Sequence, residues 1–170
     1  MSHRTVTTAR AAEIVGVGYE GLRSYLKRGL GGRAGMLPGF HKPGADTHDD
    51  PNPRAKWKRF SVPDLCLFRM AKLLIDAGFT FEATNSVVSR QDRWSAFAHD
   101  RNPEPRLMPI WPPYCDHIIY EPDQMDLLKK ALEEAPEIVT LINLGEVHTH
   151  VLAALGDEHG QSTEDEELAQ

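Results

Sequence analysis

The run Tyr19-Glu20-Gly21-Leu22-Arg23-Ser24-Tyr25-Leu26-Lys27-Arg28 holds the side chains with the clearest chemistry in this chain. In a helix, Leu22, Tyr25 and Leu26 fall at i, i+3 and i+4 and share one face. Arg23, Ser24 and Lys27 then point elsewhere, with Tyr19 and Glu20 in the first turn. Cations bind phosphate oxygens, while hydroxyl, phenol and carboxylate groups can hydrogen-bond to the edges of bases. A second group, Lys56-Trp57-Lys58-Arg59-Phe60, alternates basic with aromatic residues, as a strand with one wet face does. Arg10 and Arg28 are further candidate phosphate contacts. A plainer reading stands beside this one. Arg23 and Lys27 could be solvated charges, Tyr25 a core residue, and Trp57 a cover for the core.

Other chemistry is poorly supported. Cys66 has no second cysteine nearby and reads as a small buried hydrophobe. Cys115-Asp116-His117 places three ligand types side by side, but adjacent residues rarely point at one ion. His148 and His150, two apart, suit neither face of a helix. The glycines between Gly29 and Gly35 lack the lysine-serine ending and the preceding strand of a phosphate-binding loop. A nucleophile–base pair is suggested only by proximity in sequence. No enzyme, metal site or cofactor is expected.

These side chains need elements to position them. Thr7 and Thr8 can cap a helix over Ala9 to Val15, which Gly16-Val17-Gly18 breaks. The second helix stops at Gly29. Two short helices across a glycine-containing turn make a helix-turn-helix candidate. Residues 29–56 have no periodicity, and their Gly and Pro predict a long irregular loop. Ser61-Val62-Pro63-Asp64 predicts a capped start to a third helix, striped by Phe68, Ala71 and Ile75 and ended by Gly78. Thr80 can cap a fourth helix, Phe81 to about Ser89. Beyond Arg90, strands are expected at Trp94 to His99, Arg106 to Trp111 and His117 to Tyr120. A helix is expected from Pro122 or Asp123 to Ala135. Ile138 to Ile142 reads as a strand or a helix start. Asn143 can cap a last helix striped by Leu144, Val147, Val151 and Leu155. From Gly156 the acid-rich tail reads as disordered.

The composition sets limits. With 170 residues, 41% of them hydrophobic, the chain can form one ordinary domain or two small ones. No apolar run approaches the roughly 20 residues of a membrane span. Met1 to Arg10 lacks the apolar core of a signal peptide. Two cysteines suit a reduced, cytoplasmic setting. The net charge of −6 hides an asymmetry. Residues 1–60 carry eleven Lys/Arg against five Asp/Glu, and residues 61–170 carry eight against twenty, a balance of +6 before −12. Only the basic front is suited to a polyanion.

The N-terminal half resembles the MerR family of bacterial regulators, over roughly residues 5–89. The resemblance lies in Thr7-Thr8-Ala9-Arg10-Ala11-Ala12 with Gly16-Val17, in Gly21-Leu22-Arg23-Ser24-Tyr25 through Gly29-Leu30, in Trp57-Lys58-Arg59-Phe60-Ser61, and in Asp64-Leu65 through Ala77-Gly78-Phe79-Thr80-Phe81. It implies a winged helix-turn-helix with Tyr19 and Glu20 near the bases and Arg23 and Tyr25 near the backbone. Lys56, Lys58 and Arg59 would clamp from the wing. The loop from Leu30 to Lys56 is longer than the family's short wing. Ser24 replaces an aromatic residue and Leu26 an acid. Prolines from Pro103 onward leave no room for the family's long coiled-coil helix, so neither inducer binding nor promoter untwisting is implied.

The expected fold class is α+β, mainly α. Residues 1–89 form a winged helix-turn-helix, residues 90–155 a smaller α+β segment, and residues 156–170 a loose tail. The expected function is a sequence-specific regulator of transcription that binds double-stranded DNA as a homodimer on a two-fold site. Val147, Val151 and Leu155 are expected to supply part of the dimer contact, or else to close their own domain. No membrane partner is expected. Two alternatives are a phage-type architectural factor, such as an excisionase or packaging recogniser, and a module that holds a protein partner through its acidic C-terminal half.

Overall fold

The computed structural model describes residues 5–30, 59–98, 105–112 and 117–156. Over these residues the chain is mainly helical, with one small antiparallel sheet. The helices are α1 (Thr8–Val15), α2 (Tyr19–Lys27), α3 (Val62–Asp76), α4 (Phe81–Val88), α5 (Gln91–Ala98), α6 (Met125–Glu133) and α7 (Leu144–Gly156). The strands are β1 (Leu107–Ile110) and β2 (Thr140–Asn143), and a 3-10 turn at Pro122–Gln124 leads into α6. No helix among the described residues is long and apolar enough to cross a membrane.

The helix ends follow from local chemistry. The Thr7 hydroxyl accepts from Arg10 N at 3.4 Å and starts α1. Gly16 ends it at φ 78°, where Val17 N reaches back to the Ala12 carbonyl at 3.0 Å. A left-handed residue there lets two orphan carbonyls find donors, and glycine takes that conformation with little strain. Gly29 repeats the device after α2 at φ 83°, with Leu30 N on the Tyr25 carbonyl at 3.0 Å. Asp64 is fully buried at the start of α3 and accepts from Ser61 N at 2.8 Å and from Ser61 Oγ at 2.6 Å. Trp94 Nε1 of α5 donates to its other oxygen at 3.3 Å. The cap of α3 therefore also fastens α5.

α3 is the centre of the fold. Leu65, Cys66, Leu67, Phe68, Met70, Ala71 and Leu74 are all buried, while Leu73 and Asp76 keep one stripe of the helix wet. α1, α4, α5 and α7 pack around it. A helix with so wide an apolar surface needs several neighbours. One core cluster runs from Val6 through α3 to Leu155, across the boundary expected near residue 89. α1 also touches α2 and α7. Away from the helices, Val6 and Phe60 form an antiparallel bridge, with N–H···O distances of 2.9 and 3.0 Å. In the sheet, Leu107 faces Asn143 and Ile110 faces Thr140.

Two expectations about the C-terminal half need correction. The expected strand at Trp94 to His99 is, over its described residues, a helix: residues 91–98 form α5. Arg93 and Phe97, at i and i+4, are both buried where α5 packs on α3, so tertiary burial overrides the β preference of the aromatic residues. His117 to Tyr120 contributes one bridge, Leu107 to Tyr120, rather than a strand. Ile138 to Ile142 resolves into β2, starting at Thr140, and Asn143 caps α7 by accepting from Glu146 N at 3.2 Å. The expected loop over residues 31–56 and the expected tail from residue 157 lie outside the described residues.

Candidate functional site

α2 has two unlike faces. Leu22 is fully buried, and Tyr25 and Leu26 pack against the core with their outer edges wet. Tyr25 also meets Phe81 of α4, with ring centroids 6.1 Å apart. Tyr19, Glu20, Arg23, Ser24 and Lys27 are exposed. Gly21 permits the close seat of α2 on the preceding turn, since a Cβ there would lie 3.0 Å from Val17 Cγ2. With Thr8 at the start of α1, the exposed residues line an open, mostly polar groove of about 490 Å³.

The groove has its own electrostatic arrangement. Arg23 Nη1 donates to Glu20 Oε1 at 3.1 Å and to Oε2 at 3.4 Å. The Arg23 guanidinium carbon lies 5.6 Å from the centre of the Tyr19 ring. Arg23 is 54% exposed and Glu20 77%, so this ion pair holds little energy and can exchange for a stronger partner. Lys27 leaves the groove with a surplus of positive charge.

The other expected contacts are distributed differently. Arg28 stacks on Phe81, its guanidinium carbon 3.6 Å from the ring centre, and its Nη2 meets Glu82 at 3.3 Å. Arg59 is exposed and precedes Phe60, whose bridge partner Val6 stands two residues before Thr8 on the groove rim. Lys56 and Lys58 lie outside the described residues, as does Trp57. Arg10 is half-buried and away from the groove lining. Its Nη2 donates to the Ala154 carbonyl near the end of α7 at 2.8 Å, and its Nη1 meets Glu13 at 3.0 Å. A guanidinium on the last carbonyls of a helix satisfies groups that otherwise lack donors.

The dimer expectation at α7 is corrected. Val147, Val151 and Leu155 are 3%, 0% and 2% exposed and belong to the chain's own core cluster. They close this fold and are not available to a second copy.

The remaining candidates sort by burial. Cys66 is enclosed, and burial pushes its thiol well above the ordinary range. Cys115 and Asp116 lie outside the described residues, while His117 is buried with its ring against Trp111. His148 is buried edge-on to Phe97, and His150 Nε2 sits 3.0 Å from the Ile14 carbonyl. Among the described residues, no three His, Cys, Asp or Glu side chains gather as a metal site would require.

Sequence reasoning passed over three participants. Thr8 serves as groove wall as well as helix start, and Phe81 with Glu82 holds Arg28. It also passed over Arg93, almost fully buried, which pairs with Asp92 at 2.6 Å and donates to the His117 carbonyl. No local signal marks these contacts, because each joins elements distant in the chain or depends on burial. No protein-family model and no curated protein matches the chain, so its function is read from this geometry.

Proposed function

We propose that the chain is a sequence-specific regulator that binds double-stranded DNA through a MerR-like winged helix-turn-helix, with α2 in the major groove. One observation carries the reading. Tyr19, Glu20, Arg23, Ser24 and Lys27 share one open polar groove, while Leu22 on the same helix is sealed in the core. α1 and α2 supply the two helices, and the Val6–Phe60 bridge just before α1 supports a wing. Arg23 and Lys27 serve phosphates, Tyr19, Glu20 and Ser24 face base edges, and Arg59 extends the basic edge. Selection of random duplexes by the purified protein at two salt concentrations tests this. An enriched motif with two-fold symmetry is expected. With six phosphate contacts per protomer, the log–log salt slope is about −5 per protomer. Failure to enrich any sequence at low salt overturns the proposal.

A second reading, contact with another protein, has its own observation. Ile138, Ile118, Leu127 and Leu141 are 79%, 62%, 58% and 49% exposed, all in the C-terminal half. Since the α7 stripe is internal, these exposed residues are the candidates for a homodimer contact among the described residues of the C-terminal half. Sedimentation of an Ile138→Glu, Leu141→Glu variant tests it: loss of a wild-type dimer supports the reading, and an unchanged mass removes it.

A further inference from the structure

We infer that Glu20 sets the base preference of this surface, by masking Arg23 in the free protein and accepting a hydrogen bond from a cytosine in the bound one. The inference rests on the DNA-binding reading above and names what that site selects. Glu20 is the second residue of α2, in the turn that meets base edges when such a helix enters the major groove. Its carboxylate is largely open to solvent, apart from Arg23 at 3.1 and 3.4 Å.

A surface built for phosphate alone gains nothing from this group, which phosphates repel. The carboxylate is tolerable in the groove only opposite a donor, because an ionised carboxylate accepts and cannot donate. Guanine shows N7 and O6 there, both acceptors, and thymine shows O4 and a methyl group. Adenine shows a donor at N6 beside an acceptor at N7, which repels the second carboxylate oxygen. Cytosine shows the N4 donor alone and fits best. When Glu20 turns to N4, Arg23 is released to a phosphate. On a wrong sequence Arg23 is shared between Glu20 and a phosphate, and part of one phosphate contact is lost. The ion pair thus couples backbone affinity to base identity.

Glu20 could instead only support its helix, where a first-turn carboxylate favours the positive end and an i,i+3 partner adds a little. That role predicts no change in the selected sequence when the charge is removed. The test compares wild type, Glu20→Gln, Glu20→Ala and the control Glu133→Gln, an exposed acid on α6, by selection of random duplexes at two salt concentrations. Wild type is expected to fix a C·G pair at one position of each half-site. Glu20→Gln is expected to move that position toward A·T, since glutamine pairs with adenine N6 and N7, with the preference for cytosine falling roughly tenfold. Glu20→Ala is expected to lose the preference without gaining another. In both variants the log–log salt slope steepens on non-specific duplex by up to about 0.9, as Arg23 is unmasked. An unchanged base preference overturns the base contact, and an unchanged slope overturns the masking. The same changes in Glu133→Gln would reduce both to general charge. A wild-type motif without a fixed cytosine also overturns the inference while leaving DNA binding intact. No enriched motif for wild type removes the DNA-binding reading, and this inference with it.

Discussion

Asp64 shows how much one buried side chain can organise. Its two oxygens take three donors, Ser61 N, Ser61 Oγ and Trp94 Nε1, and none of the residue is exposed. Asp64→Ala removes the cap and strands a half-buried indole N–H, for a loss of about 2–4 kcal/mol, read as a lower urea midpoint at constant m. Cys66 makes a different prediction. Burial holds its thiol protonated, the nearby Asp64 adds to the effect, and Arg106 opposes it. The folded chain therefore keeps a proton that the unfolded chain sheds, so this contribution to stability is whole below the ordinary thiol value of 9.0 and is lost as pH rises above it. Urea midpoints from pH 7 to 10 should fall more steeply for wild type than for Cys66→Ala. Much of the candidate site was legible at this scale, because the 3.6-residue period alone separates Leu22 from Arg23 and Lys27. The Arg28–Glu82 pair was not, since 54 residues part its members and only tertiary packing brings them together.

At the scale of elements, local signals and packed partners divide the work. The stops at Gly16 and Gly29 could be read directly, because a positive φ is a property of one residue. Gly16→Ala forces a side chain into that conformation and drives its Cβ to 3.0 Å from Arg69 Nη1, which holds the Val15 carbonyl at 2.9 Å. A loss of about 1–2 kcal/mol in thermal or urea unfolding is expected, with the slack falling on the α1–α2 connection. α5 was illegible as a helix. Its aromatic residues suit a strand as well, and what decides is tertiary packing: Arg93 donates to the His117 carbonyl, Phe97 meets His148 of α7, and Trp94 reaches Asp64 of α3. The α7 stripe was legible as apolar, but no periodicity says which surface it meets. Leu155→Ala should cost about 2–5 kcal/mol and leave the sedimentation mass of the folded protein unchanged. A dissociated, still folded species would restore α7 as an interface.

At the scale of the molecule, charge and connectivity matter most. The basic front and acidic back confine the candidate phosphate contacts to one end of the chain. Arg23→Ala with Lys27→Ala removes two of these cations per protomer and should make the log–log salt slope about 1.8 units shallower per protomer, about 3.6 for a dimer on a selected two-fold duplex. Measurement at three or more salt concentrations checks this, and an unchanged slope places both residues outside the contact. Connectivity has a further effect. α7 is fastened to α1 by Arg10 on the Ala154 carbonyl and by His150 on the Ile14 carbonyl. A ribosome makes α1 early and α7 about 140 residues later, at roughly 5–20 residues per second. For something like ten seconds the nascent α1 therefore waits without its final neighbour, and the Arg10 guanidinium and the Ile14 carbonyl gain these partners only when the last helix arrives.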